Sequence, residues 1–144
     1  MLEKQKIMFA GSFDPMHQGH LALIHRALKF FDQVVIVVTN NPEKTDQTDV
    51  DIRVQQIQTL IQNNPNIEIM INQNQLTIDF AQMHNLKFLL RGVRNIEDFS
   101  FEVEMAQANK ILNPNIETII LISDAEDAKI SSRFIQQIDK IRKK

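Results

Sequence analysis

An α/β fold is what this sequence predicts, a doubly wound parallel sheet of five strands with helices on both faces, and three observations carry it. Short apolar runs, often β-branched, recur at 7–10, 34–38, 67–71, 88–90 and 118–122, as expected of strands covered on both sides. Helical patterns fill the gaps at 21–31, 50–62, 77–84, 98–111 and 131–141. Such regular alternation implies right-handed crossovers and parallel pairing. Finally, the unusual polar segments follow the first, second, fourth and fifth strands, which is where sheets of this kind collect ligands.

The first strand, Ile7-Met8-Phe9-Ala10, runs into Gly11-Ser12-Phe13-Asp14-Pro15-Met16-His17-Gln18-Gly19-His20. A helix follows, with Leu21, Leu23, Ile24, Ala27 and Leu28 on its apolar face. A glycine-bearing strand-to-helix junction lets backbone approach a ligand, and the free N–H groups of the helix start suit phosphate oxygens. His17 and His20, three residues apart, share one side of the first turn. Taken singly, each histidine reads as an exposed or capping group; taken with the whole string, the pair points to a nucleotide site.

The second strand leads to Thr39-Asn40-Asn41-Pro42-Glu43-Lys44-Thr45, a polar loop expected to overhang that site, with Lys44 as its charge of interest. The second helix ends at Asn63-Asn64-Pro65-Asn66, and the fourth at Asn113-Pro114-Asn115, because proline cannot continue the hydrogen-bond ladder. Beyond the fourth strand stands Arg91-Gly92-Val93-Arg94. An arginine directly after a buried strand is costly unless it meets an anion, and its planar fork suits phosphate. Pairing of Arg91 and Arg94 with Asp98 and Glu102 is the structural alternative, and both can hold at once. After the fifth strand, Ile130-Ser131-Ser132 opens the last helix, where serine suits both an N-cap and a phosphate contact. His25 and His84 lack neighbours at metal-ligand spacing and read as structural. The phenylalanines and methionines read mainly as core.

At 144 residues, a single domain spanning 1–144 is expected. The chain has no cysteine, which excludes disulfides and thiolate metal sites. A net charge of −2 offers no general attraction to nucleic acid or an anionic membrane. The first residues show no secretory pattern, and no apolar run approaches the roughly 20 residues that span a bilayer. A cytoplasmic protein with neither nucleic-acid nor membrane partners is the expectation. The basic tail, Lys140 to Lys144, reads as a solvated helix end.

The Gly-Ser-Phe-Asp-Pro string with Gly19-His20 matches the His-x-Gly-His nucleotidyltransferase superfamily. With Asn41-Pro42-Glu43-Lys44, Arg91-Gly92-Val93-Arg94, Asp98-Phe99, Glu102, Asn109 and Ile130-Ser131-Ser132, the whole chain resembles the bacterial phosphopantetheine adenylyltransferases. That resemblance implies a Rossmann-like protomer, Mg²⁺, assembly as a homohexamer, and AMP transfer from ATP to 4′-phosphopantetheine. By position it implies His20, Lys44 and Arg91 as catalytic residues. Ser12, Lys44, Leu76, Thr77, Arg91 and Asn109 would hold the acceptor. Ser12, Phe13, His17, His20, Gly92, Val93, Arg94 and Glu102 would border ATP, with Asp127, Ala128, Lys129, Ile130, Ser131, Ser132 and Arg133. In this picture His20, Lys44, Arg91 and Arg94 form a positive cluster around the reacting phosphate.

Some positions depart from the family pattern. His17 and Gln18 stand where Thr and Asn are usual, so the string is also similar to the cytidylyltransferase version and base choice stays open. Phe101 replaces a tyrosine, while Asp127, Lys129 and Arg133 alter the adenine loop. The chain also stops short of the C-terminal segment typical of the family, which leaves subunit packing open. Two other readings therefore stand beside the first: nucleotidyl transfer to another small phosphate acceptor, and a non-catalytic nucleotide-binding module.

Overall fold

The computed structural model describes residues 2–123 and 132–143. Strands β1 (Lys6–Gly11), β2 (Gln33–Asn40), β3 (Ile67–Gln73), β4 (Phe88–Val93) and β5 (Glu117–Ile122) form one sheet in the order β3-β2-β1-β4-β5. Every neighbouring pair is parallel. Helices α1 (Gln18–Ala27), α2 (Val50–Ile61), α3 (Thr77–Met83), α4 (Ile96–Leu112) and α5 (Ser132–Arg142) alternate with the strands. The doubly wound expectation is met.

Period-two alternation divides the core between the two faces of the sheet. Ile7, Phe9, Ile36, Val38 and Leu90 pack with Leu23, Ile24 and Ala27 of α1 and with Ile57 and Ile61 of α2. Met8, Val35, Val37 and Leu89 point the other way, against Ile78, Phe80 and Ala81 of α3. Arg91 shares the parity of Leu89 and bonds to Glu102 of α4, so α4 covers the α3 face.

Element boundaries differ from the sequence expectation where polar groups do structural work. The fourth strand does not end at Leu90, because Arg91, Gly92 and Val93 pair in register with Ile120, Leu121 and Ile122 of β5. Backbone pairing there does not depend on side-chain polarity, so the charged residue hides the continuing strand. The first helix begins at Gln18, three residues earlier than expected, because His17 caps it. It ends at Ala27, and the chain then turns so that Asp32 N and Gln33 N reach the Gln5 carbonyl at the foot of β1. The fourth helix starts at Ile96 because the Asn95 side chain accepts from Asp98 N, a 2.8 Å N-cap.

Apolar side chains are less completely covered at the β5 side of the sheet. Phe99, Phe101, Ile111 and Leu112 of α4 and Ile122 of β5 are exposed there; separately, α5 exposes Phe134, Ile138 and Ile141. Among the described residues, no helix is long and apolar enough to cross a membrane.

Candidate active site

The strand order reverses between β1 and β4, so the connections leaving these two neighbours run in opposite directions and open a crevice at their carboxyl ends. A cavity of about 320 Å³ lies there. Its walls come from Ala10 and Gly11 of β1, Thr39 of β2, Arg91 of β4, Thr77 of α3 and Asn109 of α4, with Leu89, Ile78, Met105 and Ala106 making it largely apolar. The buried side chain of Asn72 fixes one approach: it accepts from Gln75 N at 2.9 Å and donates to Gln75 O at 3.0 Å, shaping the turn that delivers Leu76 and Thr77 to the cavity.

The β1–α1 junction is built from aromatic rings. Phe13 has φ 47°, a left-handed conformation unusual for a bulky residue, and it is buried. Strain of this kind, of order 1–3 kcal/mol, persists only where packing over-determines it. Here the Phe13 ring meets Phe9 and His20 edge-on, each with centroids 5.2 Å apart. The glycines make room for rings more than for a ligand: a Cβ on Gly19 would lie 2.9 Å from His17 Cε1, and one on Gly11 would lie 3.3 Å from the Phe13 ring.

His17 and His20 form a capping box from two imidazoles. His17 Nδ1 accepts from Gly19 N, and His17 N donates to His20 Nδ1, both at 3.1 Å. Their rings stack at 3.7 Å. With Nδ1 of His20 committed as an acceptor, its proton belongs on Nε2. Burial, then the neighbouring His17 and Arg91, pulls the His20 pKa from 6.5 down to about 4. The expectation of a positive His20 is therefore corrected: at neutral pH this imidazole is an uncharged N–H donor.

Arg91 forms the opposite wall. Its Nε and Nη2 donate to the two oxygens of Glu102 at 2.7 Å each, and Nη1 reaches Ala10 O at 3.3 Å. Three of the five guanidinium N–H groups are thereby engaged and two remain for a ligand. The Arg91 side chain is 32% exposed and that of Glu102 8%. Glu102 was expected to touch nucleotide, yet its buried carboxylate is turned to Arg91. Arg94 lies outside the cavity walls, 77% exposed and 3.3 Å from Asp98. Structural pairing with the acids of α4 thus holds for both arginines.

Of the acceptor set, Leu76, Thr77, Arg91 and Asn109 line one cavity. Ser12 follows its Gly11 wall, and Lys44 stands exposed on the loop above, its backbone N–H bonded to Asn41 O at 3.0 Å. His20 is brought close enough to Arg91 to feel its charge. Gly92 lies in β4 where a Cβ would come 2.4 Å from Leu23 Cδ1, so it sets the approach of α1 to the sheet. Val93 was expected at the nucleotide, but its side chain is buried and its carbonyl accepts from Ser123 N at 2.8 Å. Asp127, Ala128, Lys129, Ile130 and Ser131 lie outside the described residues; Ser132 begins α5 and Arg133 is exposed in its first turn.

Sequence reasoning missed Arg53. It is buried in α2 and donates to the backbone oxygens of Ser12 after β1 and Thr39 in β2, behind one wall of the crevice. A signal existed: Arg53 stands four residues before Ile57 and eight before Ile61, in the buried register of its helix.

Comparison with known proteins agrees with this architecture. The family described as cytidylyltransferase-like matches residues 8–138. A phosphopantetheine adenylyltransferase of Mycoplasma capricolum is 38% identical over 136 residues, 94% of this chain and 97% of that protein. Another, from Wigglesworthia glossinidia brevipalpis, is 41% identical over 137 residues, 95% of this chain and 81% of that protein. Among solved structures, a lipopolysaccharide core biosynthesis protein of Thermoplasma volcanium superposes with TM-score 0.59 at 19% identity, covering 85% of this chain and 98% of that one. A pantoate-beta-alanine ligase of Francisella tularensis gives 0.57 at 16% identity, over 97% of this chain and 71% of that one. At such identities the structural likeness speaks for the fold alone.

Proposed function

Because the chain belongs to the phosphopantetheine adenylyltransferases of the cytidylyltransferase-like family, we propose that it transfers AMP from ATP to 4′-phosphopantetheine, giving dephospho-coenzyme A and pyrophosphate. The observation that carries this reading is the crevice cavity, which has apolar walls, an amide at Asn109 and a partly free guanidinium at Arg91. A pantetheine arm is a chain of methylene and amide groups ending in phosphate. Such a cavity suits it, with few polar groups to fix its orientation.

In the proposed reaction, an acceptor phosphate oxygen attacks the α-phosphorus of ATP in line, and the bond to the departing pyrophosphate breaks. The acceptor phosphate is already largely ionised near neutral pH, so no general base is required. Catalysis then consists of holding two anions together and stabilising the charge that builds on the transferring group. His20 would donate its Nε2 hydrogen to a non-bridging oxygen of the α-phosphoryl group. Being neutral, it gives directed donation without the cost of keeping a half-buried cation. Arg91, oriented by Glu102, would offer its two remaining N–H groups to the acceptor phosphate, and Lys44 would bring a mobile positive charge from the loop. Ser12, Thr77, Leu76 and Asn109 would complete the acceptor side. His17 and Phe13, which build the β1–α1 junction, would border the nucleotide together with Gly92, Val93 and Arg94 at the end of β4, Ser132, Arg133 and the residues from 127 to 131.

Mg²⁺ is proposed as an ATP companion. Among the described residues, no three His, Asp or Glu side chains converge into a donor set of the protein's own. Mg²⁺ commonly binds through substrate phosphate oxygens and water with one or two carboxylates. Exposed apolar side chains on α4, β5 and α5 support association with further copies, a hexamer by family resemblance. A cytoplasmic setting fits an ATP-consuming step of coenzyme A synthesis.

The test is pyrophosphate release from purified protein given Mg²⁺, 4′-phosphopantetheine and either ATP or CTP. Release with ATP is the expected result. Release with CTP alone would favour the cytidylyl reading, while nucleotide binding without turnover would favour a non-catalytic module.

A further inference from the structure

Arg53 is the most deeply buried charged side chain among the described residues, at 0% exposure. Its four hydrogen bonds go to neutral oxygens: Nε to Thr48 O at 2.8 Å, Nη1 to Ser12 O at 2.8 Å and to Thr39 O at 3.0 Å, and Nη2 to Asn40 Oδ1 at 3.0 Å. A buried cation without a bonded carboxylate carries a desolvation cost of several kcal/mol, which only well-formed hydrogen bonds offset. The same helix face holds Val50, Val54, Ile57 and Ile61, so an apolar side chain would serve packing alone. What an apolar side chain cannot do is join three chain segments through one rigid fork.

Those segments are the ones that carry the chemistry. Ser12 leads into Phe13, whose ring supports His20. Thr39 lines the cavity. Asn40 and Thr48 are the two ends of the loop bearing Lys44, and both are held on the same guanidinium. Two further links close the ring: Gln47 Nε2 donates to Asn40 Oδ1 at 3.1 Å, and Thr48 N donates to the exposed carboxylate of Asp14 at 2.8 Å.

We propose that Arg53 is a positioning residue for the transfer reaction, clamping the Ser12–Phe13 turn and both ends of the Lys44 loop in one register over the crevice. This rests on the reading under Proposed function, and its consequence is kinetic. Misplacing catalytic groups by about 1 Å costs on the order of 100-fold in rate. Loosening the clamp lowers kcat more than it raises KM, because the displaced groups act on the transition state.

The experiment compares wild type with Arg53→Met, Arg53→Lys and Asp14→Ala, measuring kcat and KM for ATP and 4′-phosphopantetheine together with amide hydrogen exchange. For Arg53→Met the expected result is a kcat loss of about 30-fold with KM changed less than about threefold. Exchange should quicken at residues 41–48 while that of α3 stays constant. Arg53→Lys, which keeps charge but not the fork, should recover part of the rate. Wild-type kcat in folded Arg53→Met, or unchanged exchange at 41–48, overturns the proposal. Should Arg53→Met fail to fold, Asp14→Ala decides, since it alters an exposed side chain: faster exchange around Thr48 with a kcat loss of roughly threefold supports the clamp, and no change in either overturns it. A wild type that releases no pyrophosphate would overturn the transfer reading and the kinetic role resting on it, while exchange at 41–48 separately reads the clamp.

Discussion

The two arginines that flank the crevice solve the same problem in opposite ways. Arg91, on the β4 wall, has a buried carboxylate as its partner and keeps two N–H groups facing a cavity. Arg53, behind the β1–β2 wall, spends its bonds on backbone and amide oxygens and is sealed from solvent. A guanidinium neutralised by Glu102 can remain at the edge of a pocket and receive an anion without moving. One that bonds only to neutral oxygens fixes the chain around it and is withdrawn from ligands. The contrast separates a group presented at a pocket wall from one that holds together the chain segments behind it.

The largest expected effect comes from the ring between these walls. His20→Ala should reduce kcat by roughly 100- to 1000-fold, the usual loss for a donor to developing charge, while ATP affinity changes little. Single-turnover kinetics alongside equilibrium binding measure the two separately, and equal losses in both would remove His20 from the transition state. Next, Glu102→Ala strips Arg91 of its counter-charge. A stability loss of about 2 kcal/mol in urea titration is expected, because two charge-assisted hydrogen bonds to a half-buried guanidinium are lost. If stability is unchanged, the distinction between the two arginines fails.

Gly92→Ala tests the seam between α1 and β4. A methyl group placed 2.4 Å from Leu23 Cδ1 must displace a buried side chain, so destabilisation of about 1–3 kcal/mol is expected by thermal unfolding. Acid should act through His20. Its folded pKa of about 4 lies below the ordinary 6.5, so the unfolded chain binds more protons in that interval. The stability that neutral His20 contributes is complete above pH 6.5 and is lost as pH falls through 4. Urea midpoints at pH 7 and pH 4.5 should therefore fall further for wild type than for His20→Asn. The smallest effect belongs to Arg94→Ala, whose ion pair is exposed: less than about 1 kcal/mol in the same titration.

Much of the architecture was legible because its signals are local. Alternating apolar runs and helical periods located all five strands, and proline with asparagine marked two helix ends. The β1–α1 junction with its two histidines at the helix start was legible, and Arg91 and Arg94 with their acidic neighbours could be read as ion pairs. Less legible were features whose meaning depends on what lies across space. A charged residue at position 91 looked like the end of a strand because pairing with β5 leaves no mark in neighbouring side chains. Arg53 drew no reading from the sequence, since only its helical register marks it as inward and its oxygen acceptors lie on other segments.

By itself, the sequence determined the alternation of elements, the parallel sheet and the set of groups able to handle phosphate, because propensity, periodicity and side-chain chemistry are properties of short segments. Tertiary structure alone decided which of those groups are charged, paired or free. His20 became neutral through burial beside His17 and Arg91, Glu102 was paired with Arg91, and Arg53 was turned inward to join three chain segments. Solvation and hydrogen-bond partners are set by residues distant in the chain, so charge state and orientation emerge only when the sheet is closed.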